Sequence, residues 1–361
     1  MTSSSDLEQI ETRTLSLVRD FSFLHADDPV ANSCKAVADA VAQQAVTSSE
    51  GGKRLRALLT LDAFRAFAPQ DVAERDMDAV LDLACAIEVF QTGALVHDDI
   101  IDDSDLRRGK PSAHRALETD TGSPAIGRGL GLMLGDLLAT VCIDIGNEAA
   151  ALLPHATALT SAFLNMQREV EIGQILDLAV EQAPLQDAEA LADASLNVFR
   201  WKTASYTTIA PIELALLGSG AAPGQARERA LAIGKPLGLA FQLEDDLIDV
   251  IGSSRATGKP VGGDIREGKR TVLLADAIAH ADCAARDELI AMFEASSRSE
   301  SDVSRAIGLF QSTGAVERSR QRIGALWDES VQAIRECKLE QNHETALLET
   351  CARFVPDIAK S

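Results

Sequence analysis

Five aspartates fall within eight residues, from Asp98 to Asp105, at the end of an apolar helical pattern. Asp98 and Asp102 are four residues apart, so on a helix both project from one face, with Asp99 beside them. Like charges at that spacing repel each other, and folding alone gives no reason to group them. A divalent cation gives a reason, because magnesium takes oxygen ligands and is usually held by one or two carboxylates together with substrate phosphate oxygens.

An acidic run of this kind is often only a solvated helix face or a helix end. A second copy favours the metal site, since Asp245, Asp246 and Asp249 repeat the Asp-Asp-x-x-Asp spacing inside another helical pattern. Apolar residues such as Leu243 and Leu247 flank this copy, which predicts partly buried carboxylates. Such burial is costly unless the carboxylates are paired or coordinate a metal.

Basic residues accompany the acids. Arg107 and Arg108 follow the first copy, and arginine pairs with phosphate through a planar fork of donors. Lys53 and Arg56 lie where the sequence predicts that a helix opens at Gly51, and on that helix both would share one face near the N-terminus. That end of a helix favours an anion rather than cations. Ordinary surface bases would also explain this pair, but with the acids nearby the pattern indicates a magnesium–diphosphate site.

Composition limits the fold and the partners. The chain has 361 residues, of which 46% are hydrophobic and 25% charged, a globular balance. Long segments of helical period rich in alanine and leucine, without alternating β-branched runs, predict an all-α fold. The formal net charge of −21 argues against binding to nucleic acid or to anionic membrane surfaces. The six cysteines show no C-x-x-C spacing, so buried reduced thiols are expected.

The chain carries no pattern that directs it out of the cytoplasm. Its first residues lack a basic start followed by an apolar core, so we predict no secretory signal. The longest apolar stretch, residues 129–146, is interrupted by Asp136 and Asp144, so we predict no transmembrane segment. The expected location is therefore cytoplasmic. Residues 107–128 are punctuated by glycine and proline and read as a loop, and residues 258–271 read as a glycine-rich, mobile loop.

Two Asp-Asp-x-x-Asp motifs, the first followed by Asp-Leu-Arg-Arg-Gly and the second preceded by Phe-Gln, make the chain resemble the trans-isoprenyl diphosphate synthases over about residues 51–270. The resemblance implies the isoprenoid synthase fold, a single-domain bundle of ten or more helices around a deep central cavity, with an aspartate motif on each of two facing helices. We assign residues 31–361 to this domain and residues 1–30 to an N-terminal extension. The resemblance also implies two or three Mg²⁺ ions per active site and a homodimer.

The resemblance assigns roles to individual residues. The metal ligands would be Asp98, Asp99, Asp102, Asp245, Asp246 and Asp249. Isopentenyl diphosphate would be bound by Lys53, Arg56, Gln91 and Arg108. The allylic diphosphate would be bound by Arg107 and Lys202, with Lys259 and Lys269 of the glycine-rich loop, acting as a flap, also reaching diphosphate. Thr203 and Gln242 would lie near the reacting carbon, and the catalytic set would be Lys202, Thr203, Gln242, Asp98 and Asp245.

The reaction implied is the head-to-tail condensation of isopentenyl diphosphate with dimethylallyl, geranyl or farnesyl diphosphate, with release of pyrophosphate. In short-chain members of the resembled family, an aromatic residue five positions before the first aspartate stops chain growth. Here that position is Gly93, followed by Ala94, which predicts an open upper tunnel, and Phe90 would form its floor. Geranylgeranyl diphosphate is the expected product. Farnesyl diphosphate, or chains of twenty-five carbons or more, are the alternatives.

Three other functions fit part of this pattern. A class I terpene cyclase shares the first motif, but its second metal motif carries Asn or Asp, Ser or Thr, and Glu, unlike residues 245–249. A non-catalytic partner subunit of a heteromeric synthase typically lacks an aspartate motif, and both are intact here. A helical protein whose acids merely bind cations leaves Lys53, Arg56, Arg107 and Lys202 unexplained.

Overall fold

The computed structural model describes residues 4–23, 30–252 and 261–356, and almost all of its regular structure is helical. In chain order the helices are α1 Ser4–Ser22, α2 Asn32–Ser49, α3 Leu55–Phe67, α4 Gln70–Ile101, α5 Ala113–Thr121, α6 Pro124–Ala151, α7 Ala156–Val180, α8 Ala188–Val198, a π-helix Phe199–Ile209, α9 Ala210–Gly218, α10 Pro223–Ile251, α11 Gly263–Glu267, α12 Val272–His280, α13 Cys283–Glu294, α14 Glu300–Ser312, α15 Ala315–Glu336 and α16 Gln341–Cys351. One short antiparallel hairpin, β1 Leu106–Arg107 with β2 Lys110–Pro111, is the sheet within these residues. The prediction of an all-α fold with ten or more helices is confirmed.

The chain forms two compact units, residues 1–164 with 211–226 and residues 165–210 with 227–361. In the first unit, α4 packs along α3 and α6, and fully buried leucines such as Leu83 and Leu138 form the core. The core of the second unit includes Leu243 and Phe310. Helix α1 belongs to the first unit, and the boundary between residues 30 and 31 stays a prediction.

Helices α4 and α6 are long and apolar enough to cross a membrane by length and composition alone. The most apolar window of α4 is 78% buried within the protein and that of α6 is 44% buried. A core helix of a folded protein meets the same criteria, and α4 carries the first aspartate motif at its C-terminal end. The absence of a transmembrane segment remains a prediction.

The segment 107–128 is more ordered than the loop we predicted. Helix α5 follows the hairpin directly and is ended by Gly122. The φ of Gly122 is 66°, a left-handed conformation that glycine adopts at low cost. The next helix follows at once, because the Ser123 side chain accepts the backbone N–H of Ile126 and Pro124 occupies the first turn. The prediction of a loop over residues 107–128 was therefore wrong. The capping residues that end one helix and begin the next are visible in the sequence.

Candidate active site

The first aspartate motif lies at the C-terminal end of α4, in the first unit. Asp98 and Asp99 belong to the last turn, and the backbone N–H of Asp102 donates to the carbonyl of Asp98 at 2.9 Å. Asp99 is buried, Asp98 is half-buried and Asp102 is exposed. The motif therefore has one buried acid and two acids that are accessible to solvent.

Arg107 of β1 neutralises the buried acid. Its Nε lies 2.9 Å from Oδ1 and 3.2 Å from Oδ2 of Asp99, and its Nη2 also donates to Oδ1. The same Nη2 lies 4.0 Å from Oδ2 of Asp98. Burial alone lowers the pKa of the Arg107 guanidinium, but hydrogen bonding to Asp99 and the charges of the motif raise the pKa above its ordinary value. Arg107 is thus a fixed positive charge beside the motif.

The hairpin turn separates Arg107 from Arg108. Arg108 and Gly109 have positive φ values of 52° and 76°, as both central residues of a type I′ turn require. Nη1 of Arg108 donates to the carbonyls of Glu50 and Gly51, at 2.9 and 3.2 Å. The assignment of Arg107 to the allylic diphosphate and Arg108 to the isopentenyl one stays a prediction, and the turn directs the two guanidinium groups to different partners.

The other two aspartates of the cluster hold local structure. Arg115 of α5 lies 3.2 Å from Asp103 and 2.9 Å from Asp105. Arg128 of α6 lies 2.8 Å from Asp103. These exposed ion pairs tie the segment after α4 to the two helices that follow. The cluster of five carboxylates therefore divides into three motif acids, of which Asp99 pairs with Arg107, and two further acids held by Arg115 and Arg128.

A cavity of about 360 Å³ opens beside the hairpin, within the first unit. Its walls are α2, the glycine pair at residues 51 and 52, α4 and the hairpin, and both Arg107 and Arg108 line it together with Lys110. Two guanidinium groups and an ammonium group around one cavity suit a phosphate-bearing ligand. Asp99 also lines it, so the cavity adjoins the metal motif.

The predicted isopentenyl site is arranged differently from the expectation. Helix α3 begins at Leu55 rather than Gly51, because three of the residues before it have positive φ. Lys53 is therefore an exposed residue of the preceding loop, whereas Arg56 is a buried residue of the first turn. The prediction that both bases share a helix face was wrong. Neither base nor Gln91 lines the 360 Å³ cavity, and their binding roles stay predictions.

His97, next to the motif, packs against α6. Its Nε2 lies 3.2 Å from the carbonyl of Leu132 and 3.4 Å from Oδ1 of Asp136. Gly135 provides the space, because a Cβ there would lie 2.1 Å from His97 Nε2. This packing agrees with structural roles for His97 and Asp136 and leaves metal binding to the carboxylates.

The expected open space at Gly93 is not present in the structure. A Cβ on Gly93 would lie 3.1 Å from the carbonyl oxygen of Gly135 and 3.2 Å from Leu138 Cβ, so this position faces the backbone of α6. Helix geometry explains why. At 3.6 residues per turn, Gly93 lies five positions before Asp98 and therefore about 140° around the helix from it. Ala94 is half-buried and Phe90 is buried. Control of chain length by these three residues stays a prediction.

The second motif lies near the C-terminal end of α10, in the second unit. Asp246 is buried, its Oδ1 accepts from Gln242 at 2.8 Å, and its Oδ2 has no hydrogen-bond partner among the described residues. Burial and the nearby charge of Asp264 raise the pKa of Asp246 well above its ordinary value. Asp249 accepts the backbone N–H groups of Gly263 and Asp264, at 3.0 and 3.1 Å, and so caps α11. The second motif thus organises the chain that follows it.

Lys202 and Thr203 lie on the π-helix, a conformation that is rare and frequently found at functional sites. Lys202 Nζ donates to Oδ2 of Asp177 on α7, at 2.6 Å. Thr203 Oγ1 donates to Oε1 of Gln242 at 2.8 Å. Gly173 permits this packing, because a Cβ there would lie 2.2 Å from the backbone nitrogen of Lys202. The three residues assigned to the reacting end are therefore brought together with the second motif.

The predicted flap is described in part. Lys259 lies outside the described residues. Lys269 forms ion pairs with Asp264 at 3.5 Å and Glu267 at 2.8 Å. Burial raises the pKa of Asp264 to about 6, with Lys269 opposing and Asp249 adding to the rise. Our sequence interpretation missed Asp264, although an acid between glycine and a helical segment after the second motif was a signal for it.

The residues present fit a magnesium ion that arrives with a diphosphate. Among the residues that the structure describes, no three His, Cys, Asp or Glu side chains are grouped as a complete metal cage. Magnesium usually takes only one or two protein carboxylates and completes its shell with waters and phosphate oxygens. Burial and neighbouring carboxylates raise the pKa of both Asp246 and Asp264, and a divalent cation would relieve the repulsion between the carboxylates.

Comparisons with known proteins agree with this geometry. Residues 38–310 match the family model of polyprenyl synthetase. A short chain isoprenyl diphosphate synthase of Methanothermobacter thermautotrophicus is 31% identical over 271 residues, covering 74% of this chain and 75% of that protein. A geranylfarnesyl diphosphate synthase of Aeropyrum pernix is 31% identical over 276 residues, covering 75% of this chain and 79% of that protein.

A solved structure matches nearly the whole chain. It is a geranylgeranyl pyrophosphate synthase from Corynebacterium glutamicum, complexed with isoprenyl diphosphate and magnesium. The TM-score is 0.84 at 31% sequence identity, and the match covers 97% of this chain and 98% of the other.

Proposed function

Because this chain belongs to the polyprenyl synthetase family, we propose that it condenses isopentenyl diphosphate with an allylic diphosphate, head to tail, to form a longer trans-polyprenyl diphosphate and pyrophosphate. The observation that carries the proposal is the cavity beside Asp99, which Arg107 and Arg108 line while Arg107 also pairs with the metal motif. This arrangement supplies separate cationic groups for two diphosphates. The intact motif in each unit supplies the acids for metal ions.

Magnesium would be held by Asp98, Asp102 and Asp245, with Asp99, Asp246 and Asp249 in support. When bound, Mg²⁺ neutralises the diphosphate and stabilises the departing pyrophosphate. Two or three ions per site are the number that we adopt from the family resemblance.

Residues of the chain provide the rest of the chemistry. Arg107 and Lys202 share the negative charge that develops on the leaving pyrophosphate, a task for preorganised cations. Thr203 and Gln242, held together by their hydrogen bond of 2.8 Å, present oxygen atoms to the allylic cation. The double bond of isopentenyl diphosphate attacks that cation, and the proton lost afterwards passes to pyrophosphate. Apolar walls keep water from quenching the cation.

The test is incubation of the protein with isopentenyl diphosphate, magnesium and each of the three allylic starters, followed by chromatography of the products. We expect pyrophosphate and a single main polyprenyl diphosphate, both lost when a chelator removes the metal. A cyclised hydrocarbon would indicate a terpene cyclase instead, and no product with any starter would contradict the proposal.

Geranylgeranyl diphosphate is the product that we propose. Ala94 is a small residue on nearly the same helix face as Asp98, and Phe90, one turn before it, is a large buried side chain suited to stop growth. The relatives include enzymes named for geranylfarnesyl and geranylgeranyl diphosphate, so a twenty-five-carbon chain is the main alternative, and farnesyl diphosphate is another.

We also propose a cytoplasmic homodimer that associates through α6. Ile126 and Met133 are seven residues apart on one face of this helix, and each is 52% exposed. With Leu132, which is 48% exposed, they could form a contiguous apolar patch, and such patches typically mark an interaction surface. Light scattering should give twice the chain mass of 38.4 kDa, and Met133→Glu should give a monomer. A monomeric wild-type protein at micromolar concentration would contradict this proposal.

A further inference from the structure

Arg54 is a buried arginine within the loop that precedes α3. It is 3% exposed and has a φ of 50°, a left-handed conformation that costs energy for a residue other than glycine. Arg54 lies in the Gly-Gly-Lys-Arg-x-Arg segment. The residue before it, Lys53, is a predicted substrate ligand, and the residue after it, Leu55, is the first residue of α3. The contacts that hold Arg54 therefore decide the shape of the loop 50–54.

Glu11 of α1 supplies the strongest of these contacts. One carboxylate oxygen, Oε2, accepts from Nε and Nη2 of Arg54 at 2.8 and 2.5 Å. The other, Oε1, accepts from the backbone N–H of Gly51 at 2.7 Å. One side chain thus holds both ends of the loop, and charge-assisted hydrogen bonds of this kind are among the strong ones.

Two further groups complete the surroundings of Arg54. Its Nη2 donates to the carbonyl of Ser49, at the end of α2, and its Nη1 lies 3.5 Å from Oε2 of Glu88. Glu88 also accepts the backbone N–H of Ala57 at 3.1 Å, in the first turn of α3. Arg54 consequently connects α1, α2 and α4 at the point where the loop enters α3.

The opposite side of the loop faces the cavity. Arg108 donates to the carbonyls of Glu50 and Gly51, so the N–H of Gly51 binds Glu11 while its carbonyl binds Arg108. The cavity-lining arginine and Glu11 are thus separated by a single peptide segment. The family match begins at residue 38, which leaves α1 and Glu11 outside it.

We propose that Glu11 is a positioning residue for the isopentenyl diphosphate site. By holding Gly51 and Arg54 it fixes the loop that carries Lys53 and orients Arg108. Helix α1 lies in the segment that we assigned from the sequence to an N-terminal extension. In this proposal it helps to form the substrate site. This inference rests on the proposed prenyl transfer.

A simple charge effect predicts the opposite result. Isopentenyl diphosphate is an anion, so removing the negative charge of Glu11 would by itself strengthen binding and lower KM. Loss of the clamp would instead disorder the loop and raise KM. The sign of the change therefore distinguishes positioning from repulsion.

The experiment compares Glu11→Ala and Glu11→Gln with Arg13→Gln as the matched control. Arg13 also ties α1 to α4, through Asp82 at 2.5 and 2.7 Å, and has no hydrogen bond or ion pair to the loop among the described residues. We expect Glu11→Ala to raise KM for isopentenyl diphosphate by about tenfold, with KM for the allylic substrate unchanged. Glu11→Gln, which keeps an acceptor for Gly51, should give a smaller rise, and Arg13→Gln should give none.

Amide hydrogen exchange supplies a readout that does not depend on activity. Gly51 should exchange faster in Glu11→Ala than in the wild type or in Arg13→Gln. An unchanged or lowered KM for isopentenyl diphosphate in both Glu11 variants overturns the positioning role, and so does an equal rise in Arg13→Gln. If Glu11→Ala fails to fold, the isosteric Glu11→Gln carries the comparison. Absence of product from the wild-type protein overturns the proposed function itself, whatever the exchange data show.

Discussion

Replacing Gly173 by alanine should both destabilise the second unit and impair catalysis. The added Cβ would lie 2.2 Å from the backbone nitrogen of Lys202 and 2.4 Å from its Cα, whereas ordinary contact begins at 3.4 Å. Because the obstacle is backbone, α7 and the π-helix must separate by about 1 Å. Overpacking of this kind costs about 1–3 kcal/mol, and the better helix propensity of alanine returns about 1 kcal/mol. Because the clash is with backbone, we expect an overpacking cost near the upper end of that range. The net loss of unfolding free energy is then about 2 kcal/mol.

The catalytic effect follows from the same displacement. Lys202 and Thr203 move with the π-helix, so that Lys202 separates from Asp177 and the position of Thr203 relative to Gln242 changes. A misplacement of about 1 Å costs on the order of a hundredfold in turnover. Urea unfolding followed by circular dichroism gives the stability, and product formation gives the turnover.

Gly324→Ala is the matched control for this prediction. Gly324 lies in α15 of the same unit, and a Cβ there would meet no atom within 4 Å. Alanine should therefore stabilise that helix by up to about 1 kcal/mol. If Gly173→Ala is as stable and as active as Gly324→Ala, the close approach of α7 to the π-helix does not exist in the protein and the reasoning fails.

Three other predictions test the site and the core. Asp98→Ala should lower turnover by about a hundredfold or more, because it removes a proposed metal ligand. It should not lower the unfolding free energy, because it removes one of several like charges. Near-normal turnover would show that Asp98 is not a metal ligand. Phe90→Ala should lengthen the product, at a stability cost of about 3–5 kcal/mol, and an unchanged product would show that the chain does not grow along α4. Cys34 and Cys283, which are exposed, should react with a thiol reagent in the native protein, whereas burial raises the pKa of Cys85 to about 12 and should keep it inert; labelling of Cys85 at about pH 8 would contradict its burial.

Helical periodicity was enough to predict most of the fold, since an amphipathic pattern reports which face of a helix is buried. It placed the two aspartate motifs on helices, which the structure has as α4 and α10. It missed α5, because short helices carry little periodicity and their ends depend on capping residues. Gly122, Ser123 and Pro124 were such signals, and we read them as loop punctuation instead.

Residue spacing predicted the site less completely than the fold. It placed the two motifs, but three contacts depend on how the chain folds back on itself rather than on local spacing. Arg107 pairs with Asp99 only because the hairpin folds back, and Gln242 meets Thr203 across 39 positions of sequence. Glu11 and Arg54 are 43 residues apart, and no local pattern distinguishes Glu11 from any other acid of an amphipathic helix.

The glycine contact between α4 and α6 also limits which substitutions on α4 could shorten the proposed product. At Gly93 the neighbouring backbone lies 3.1 Å from where a side chain would begin, and at Gly135 the ring of His97 already fills the space. A bulky side chain at position 93 would clash with α6 before it could contact a growing prenyl chain. If the product grows along α4 as we propose, its length can be changed by mutation at positions 94 and 90, while position 93 is closed unless α6 moves first.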